Sequence, residues 1–175
     1  MEMDKAVIAV GELMALSART APKAAGLDYI EIELIKGDEV KKLAEAMRAY
    51  GVESGRKNFD RDARGVDASA AVLLLGLRRC AGIGLNCGAC GYQTCAEMAD
   101  SQREFSEFAG PNCAWKMQDL GIALGSAVKT ASIHNVDNRI MYRIGVLARK
   151  LGMVNADTVI GVPLSAMGKN PYFDR

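Results

Sequence analysis

The sequence lacks an excess of charge of either sign, a long apolar run and a basic N-terminus. Its 22 Lys and Arg residues are balanced by 21 Asp and Glu residues, so the formal net charge is +1. A charge of this size gives no reason to expect binding to nucleic acid or to anionic lipid. The longest apolar runs, such as ASAAVLLLGL, fall short of the roughly 20 residues that span a bilayer. Because acidic residues stand where a secretory signal carries basic ones, we expect a cytoplasmic protein without a membrane segment.

Cysteine is absent outside one short segment, and histidine is scarce throughout. An odd number of cysteines in a protein expected in the cytoplasm argues against a disulfide framework and favours metal binding or redox chemistry. His134 is the only histidine, and no nucleophile or carboxylate stands at motif spacing from it, so we expect a turn or capping residue. The five cysteines are Cys80, Cys87, Cys90, Cys95 and Cys113.

Hydrophobic periodicity in the first third of the chain predicts a helix, a strand and a second helix. Apolar residues recur at helical spacing over 5–18, and they alternate with glutamates over 28–35, as in a half-buried strand. Asp38 has the position of an N-cap, and the helix that it starts is expected to end near Tyr50, before Gly51.

The remaining segments complete an α+β pattern, in which a small sheet packs with helices. The polar stretch 51–65 is expected to be a loop. The stretch 67–77 is apolar on both faces, which predicts a buried strand or helix without distinguishing the two. Small residues over 114–135 predict a long helix that another backbone can approach closely. Asp137 is placed to cap the next helix, and 156–164 supplies a last strand.

Four of the cysteines have the spacing C-x2-C-x4-C-x17-C. A cubane iron–sulfur cluster needs four thiolates directed at one small volume, and a tight loop can supply three while a distant residue supplies the fourth. Gly88 and Gly91 each follow a cysteine, which lets backbone amides approach an anionic cluster. The pattern predicts a [4Fe–4S] site, whose metal ligands are Cys87, Cys90, Cys95 and Cys113.

The interval before Cys113 has the composition of a helix over 96–108, which predicts a helical hairpin arm. The expected domain organisation is one α+β domain over 1–175 with an iron–sulfur insert at 80–113. Trp115 and Met117 are expected to pack in the core and shield one side of the cluster.

Three alternatives to this site stay open. A structural zinc site also uses four cysteines, although in two short C-x2-C pairs. The cysteines could instead be unliganded or disulfide-bonded, or three of them could hold a cluster with one open iron. Cys80 is expected to be a small buried hydrophobe, with a role as a resolving or alternative ligand as the second interpretation.

The segment NCGACGYQTCAEMA, with its later cysteine, resembles the iron–sulfur domain of corrinoid iron–sulfur proteins, of ion-pumping electron-transport complexes and of some sensor kinases. Together with DLGIALGSAVKTA, DNRIMYRIGVLARKLG and GVPLSAMGKNPYFDR, it makes nearly the whole chain similar to a family of uncharacterised ferredoxin-domain proteins of anaerobic bacteria and archaea. That resemblance implies a [4Fe–4S] protein.

Residues 19–47 and 147–165 resemble the opening and closing segments of nitroreductase-like flavoproteins. The resemblance implies their fold, FMN binding and a homodimer formed through long helices. The loop after Ala-Pro, which presents polar side chains to FMN in that family, here carries Lys23, Gly26 and Asp28. Arg19 and Lys23 are the candidate FMN-binding residues, since either could approach a phosphate.

Three functions therefore compete. The first is a cytoplasmic [4Fe–4S] electron carrier of anaerobic metabolism, acting with a redox partner protein. The second is an FMN-dependent oxidoreductase on a nitroreductase-like scaffold, with the cluster as an accessory electron relay. The third is a metal-binding protein whose cluster or zinc ion serves structure or sensing.

Overall fold

The structure, a computed structural model, describes residues 3–173. Within this range the helices are α1 (Met3–Thr20), α2 (Asp38–Ser54), α3 (Phe59–Asp67), α4 (Cys95–Asp100), α5 (Ala114–Ile133) and α6 (Tyr142–Lys150). The strands are β1 (Ile30–Lys36), β2 (Ala71–Leu77), β3 (Arg103–Glu104), β4 (Ala109–Gly110), β5 (Asp137–Asn138) and β6 (Thr158–Ser165). A 3₁₀ turn, Ala24–Gly26, connects α1 to β1.

An antiparallel sheet in the order β1-β2-β6-β5 forms the centre of the fold. Its register aligns Leu34 with Leu73 and Leu73 with Val162. Helices α1 and α5 cover one face of the sheet, and α2, α3 and α6 cover the other. The predicted α+β class, a small sheet packed with helices, is confirmed.

Strand β2 is buried along its whole length, which explains why its sequence is apolar on both faces. Val72 and Leu74 point towards α2, α3 and α6, whereas Leu73, Leu75 and Leu77 point towards α1 and α5. Because strand side chains alternate between faces, a strand covered on both sides has no polar positions. The ambiguity between strand and helix is thus resolved in favour of a strand.

The prediction of a loop over 51–65 is wrong, because α2 continues to Ser54 and α3 begins at Phe59. Gly51 does not end its helix. A Cβ atom there would lie 2.9 Å from the Cβ of Phe59, so this glycine allows α2 and α3 to pack closely. The helix ends instead before Gly55, which has the left-handed φ of +66°.

The prediction that Asp137 caps the next helix is also wrong, since this residue belongs to β5 and α6 begins at Tyr142. The Asp137 carboxylate accepts a hydrogen bond from the Met167 amide at 3.1 Å, which ties β5 to the segment after β6. His134 directly follows α5 as its C-cap, as predicted.

The arm between β2 and α5 is not a helical hairpin. Helix α4 ends at Asp100, and β3 and β4 then form a two-stranded ribbon in which the Phe105 amide donates to the Phe108 carbonyl at 3.0 Å. The ribbon is held to the body of the protein, because the Ala109 amide donates to the Asp157 carbonyl at 2.9 Å. Arg149 also donates to both carboxylate oxygens of Glu104, at 2.7 and 2.6 Å. The assignment of 80–113 as an insert in a single domain stays a prediction.

Helix α5 exposes a face with small residues. Within the described residues, a Cβ atom at Gly121 or Gly125 would meet no atom within 4 Å. The close approach that these residues permit is therefore not used by the chain itself, and the homodimer stays a prediction. Over residues 3–173, no helix combines the length and the apolar character that crossing a membrane requires.

Glycine at position 145 is needed for α6 to lie on β6. A Cβ atom there would lie 1.7 Å from the carbonyl oxygen of Val159. We expect Gly145→Ala to lower the free energy of unfolding by about 2–3 kcal/mol, because helix and strand must separate. Urea denaturation measures this, with Gly121→Ala as the matched control, since it gains helix propensity in open space. Equal stability of the two variants would contradict the close packing of α6.

Candidate metal centre

The four cysteines predicted as ligands line one pocket, together with residues of the loop before α4. Cys87 and Cys90 come from this loop, Cys95 is the first residue of α4, and Cys113 is the N-cap of α5. The cavity between these side chains has a volume of about 10 Å³, so the four thiols lie around a small space. Cys87 is exposed and Cys113 is 5% exposed, so one corner of the pocket faces solvent and the opposite one is buried.

The loop is shaped by glycines and by one asparagine. Gly88 and Gly91 have φ values of +75° and +88°, and the Gly91 amide donates to the Gly88 carbonyl at 2.9 Å. These angles are open to glycine at no steric cost. Asn86 also has a positive φ, and its side-chain oxygen accepts from the Cys95 amide at 2.9 Å. The loop is thereby closed onto the start of α4.

The start of α4 is fixed by a capping box. The Glu97 amide donates to the Thr94 hydroxyl at 3.2 Å, and the Thr94 amide donates to the Glu97 carboxylate at 3.3 Å. The sequence contains this signal, because Thr94 precedes a glutamate by three residues. The box holds Cys95 at the first helical position, where its side chain faces the pocket.

Gly82 packs against Cys95 from outside the pocket lining, a contact that sequence reasoning missed. Its φ is +84°, and a Cβ atom there would lie 3.3 Å from the Sγ atom of Cys95 and 3.5 Å from Met98. The backbone at Gly82 thus leaves the space that a side chain would take from Cys95. The positive φ is not readable from a single glycine in the sequence.

Trp115 lies beside Cys87 rather than in the core. Its indole Nε1 donates to the Cys87 Sγ atom at 3.2 Å, and its side chain is 40% exposed. Met117 is also exposed, so the prediction that both residues pack in the core is wrong. Hydrogen bonds from the Ala89 amide, first, and from Trp115 lower the pKa of the Cys87 thiol below its usual value.

Cys80 lies outside the pocket lining and is buried, as predicted. It packs with Met98 and Cys113 in a small apolar cluster. Burial raises the pKa of its thiol. The Gln102 amide group donates to the Cys80 carbonyl at 2.9 Å and to the Pro111 carbonyl at 3.2 Å, so it joins the two ends of the arm.

The donor set fits a polynuclear cluster. A zinc ion needs four sulfurs within about 2.3 Å of one point, whereas a cubane takes one thiolate on each iron. Four thiols line one pocket, which is the number of ligands that a cubane requires. Glycine backbone also lines the pocket, so backbone amides can approach a cluster closely.

Arg19 and Lys23, the candidate FMN ligands, both make hydrogen bonds within the chain. Arg19 donates to the Asp28 carboxylate at 2.6 Å and to the Ile30 carbonyl at 2.9 Å. The Lys23 ammonium donates to three carbonyls near the end of α1, at 2.7 to 3.3 Å. Burial opposes ionisation of Asp28, but the Ile30 amide and Arg19 outweigh it and lower its pKa. These contacts account for both cations without a ligand, and their role in FMN binding stays a prediction.

A buried ion pair attaches the loop after α1 to α5, and sequence reasoning missed it. Lys116 is 0% exposed, and its ammonium donates to the carbonyls of Ala24 and Leu27, each at 2.7 Å, and to Asp119 at 2.9 Å. The Asp119 carboxylate also accepts from the Ala24 amide, at 2.9 and 3.1 Å. The available signal was a lysine and an aspartate three residues apart in a helix of small apolar residues.

Comparisons with known proteins identify the class. A family model for an Fe–S cluster matches residues 84–101, which contain three of the pocket cysteines. A second model, described as an uncharacterized protein containing a ferredoxin domain, matches residues 109–175. The two matches support an iron–sulfur cofactor.

A full-length relative shows the family. The chain is 54% identical over 163 residues to an uncharacterized protein of Archaeoglobus fulgidus, a match that covers 93% of this chain and 88% of the relative. The chain belongs to this family of ferredoxin-domain proteins, as its sequence predicted.

Solved structures with a similar fold are nitroreductases. Nitroreductase A from Vibrio parahaemolyticus has a TM-score of 0.56 and 15% identity, over 93% of this chain and 60% of that one. The FMN-dependent nitroreductase NfnB from Mycobacterium smegmatis, in complex with NADPH, has a TM-score of 0.58 and 13% identity, over 91% and 78%. The chain thus spans about 60% of the first of these enzymes. The similarity confirms the predicted nitroreductase-like fold.

Proposed function

We propose that the protein is a cytoplasmic [4Fe–4S] redox protein that transfers single electrons in anaerobic metabolism. The observation that carries the proposal is the placement of Cys87, Cys90, Cys95 and Cys113 around one pocket. Such a cluster, when bound, takes up and releases one electron at a time.

The chain's own residues would supply three kinds of support. Four thiolates would hold the iron atoms, one on each. Gly88 brings the backbone to the pocket without a side chain in the way, and Gly82 leaves room for the Cys95 sulfur. Helix α5, which has 20 residues, begins directly after Cys113, and its N-terminus favours negative charge there.

The exposed corner at Cys87 is where a redox partner protein would approach. Leu85, which is 63% exposed, and Trp115 flank this corner and offer apolar contact area. Electron exchange between proteins needs a short path, and the buried Cys113 corner does not offer one. A protein partner is therefore part of the proposal.

Anaerobic purification followed by quantitation of iron, sulfide, zinc and flavin on one sample tests the function. We expect about four irons and four sulfides per chain, because four thiolates satisfy one cubane. Dithionite should reduce the cluster to a paramagnetic form detected by EPR, and reoxidation should remove the signal. Zinc without sulfide, or a cluster that accepts no electron, would contradict the proposal and favour a structural or sensing role.

An FMN-dependent oxidoreductase is the second candidate, favoured by the likeness of the fold to FMN-dependent nitroreductase NfnB. FMN would have to displace the internal bonds of Arg19 and Lys23, if these residues hold its phosphate. Fluorescence titration of the purified protein with FMN decides: saturable binding that weakens in Arg19→Gln and Lys23→Gln supports this candidate. Absence of binding removes it.

A further inference from the structure

We propose that the Trp115 indole raises the reduction potential of the cluster by donating a hydrogen bond to the sulfur of Cys87. The inference rests on the proposed function, since it assigns a tuning role at the same site. It concerns one side chain that lies outside the predicted ligand set.

The hydrogen bond connects the loop that carries Cys87 to the helix that follows Cys113. Trp115 lies in the first turn of α5, two residues after Cys113, and its Nε1 atom is 3.2 Å from the Sγ atom of Cys87. The two residues are 28 positions apart in the chain, so the contact is made by the fold and not by local sequence. Indole nitrogen is a donor only, which fixes the direction of the bond.

The cysteine that receives this bond is the most exposed residue of the four. Cys87 is exposed, and Leu85 and Trp115 are the apolar side chains that flank it in the pocket lining. The Ala89 amide also donates to this sulfur, and without the indole a water molecule would take the place of the second donor. An indole held by a helix keeps its N–H directed at the sulfur, whereas a water molecule at an exposed corner exchanges and reorients.

The direction of the effect follows from charge. Reduction adds one electron, supplied by dithionite in the experiment, and breaks no bond. The added charge is shared by the thiolate sulfurs, and a hydrogen bond to a more negative acceptor is stronger. Trp115 therefore stabilises the reduced form more than the oxidised form, which raises the potential. The Nε1 proton stays on the nitrogen throughout.

Trp115→Phe tests the proposal, because phenylalanine keeps an aromatic ring and removes the donor. We expect the midpoint potential of the purified holoprotein to fall by about 59 mV, which is a tenfold change in the one-electron equilibrium constant. Met117→Leu, an exposed residue of the same helix, is the control and should leave the potential unchanged. Trp115→Leu should lower it at least as much as Trp115→Phe. A shift in the leucine variant alone would mean that the ring only excludes water, and would overturn the proposal.

Labelling supplies a test that needs no variant. Trp115 is the only tryptophan, so ¹⁵N-indole tryptophan marks a single atom of the wild-type chain. Pulsed EPR on the reduced cluster should detect coupling to this nitrogen and to its exchangeable proton, and no coupling would overturn the inference. Iron and sulfide are measured first on every sample. If they are absent, the proposed function fails together with the inference; if they are present and the potential of Trp115→Phe is unchanged, the inference alone fails.

Discussion

Cys95→Ala is expected to abolish the iron–sulfur cluster, with iron and sulfide falling to background in protein purified under argon. Cys95 has the most constrained position among the predicted ligands, because Asn86 holds its amide and Gly82 leaves room for its sulfur. Alanine at the start of α4 is compatible with the helix, but it removes one of the four thiolate ligands. Iron and sulfide assays, with the visible absorption of the cluster, measure the result, and we expect the same loss in Cys87→Ala and Cys90→Ala.

Cys80→Ala is the matched control, since Cys80 is a buried cysteine of the same arm that lies outside the pocket lining. It should retain full iron and sulfide. Full retention in Cys95→Ala would contradict the ligand assignment. If Cys113→Ala retains the cluster and the double variant Cys80→Ala/Cys113→Ala loses it, Cys80 acts as the alternative ligand.

Lys116→Met is expected to destabilise the protein by about 3–5 kcal/mol, the usual cost of removing one partner of a buried ion pair. The variant leaves the Asp119 carboxylate buried with only the Ala24 amide as a partner, and it leaves the carbonyls of Ala24 and Leu27 without their donor. Urea denaturation of wild type and variant, under the same anaerobic conditions, measures the difference.

Two further variants distinguish the effect of a buried charge on stability from the effect of replacing a lysine in this helix. Lys129→Met replaces an exposed lysine of the same helix and should change stability by no more than about 0.5 kcal/mol. The double variant Lys116→Met/Asp119→Leu should lose less stability than Lys116→Met, because no uncompensated charge is left in the interior. A double variant that is less stable than Lys116→Met would contradict this expectation, because Asp119 would then stabilise the protein even without the lysine.

The sequence predicted those parts of the fold in which side-chain periodicity matches burial. Helix α1, strand β1 and the long helix α5 lie where the pattern indicated. The sequence-based prediction was wrong at α3, where most residues are charged and only a narrow face of the helix is apolar. This face buries Phe59, Ala63 and Val66. The prediction failed again at Asp137, whose carboxylate is used by a residue 30 positions away.

The candidate site also has features that the sequence predicts and features that it does not. Ligand spacing, glycines after cysteines and the capping box at Thr94 are local, so a single chain displays them. The contact of Trp115 with Cys87 and the bonds of Lys116 to the loop after α1 join distant segments. Such contacts depend on how α5 lies across the sheet, and no pattern within one segment encodes that.

The N-cap and the first turn of α5 carry three side chains with different roles. Cys113 faces the pocket, Trp115 reaches Cys87, and Lys116 enters the interior. Each residue of an α-helix is rotated by about 100° from the one before it. Inserting or deleting one residue here would turn all three side chains away from their targets at once. An insertion or deletion within this turn would therefore be incompatible with the site.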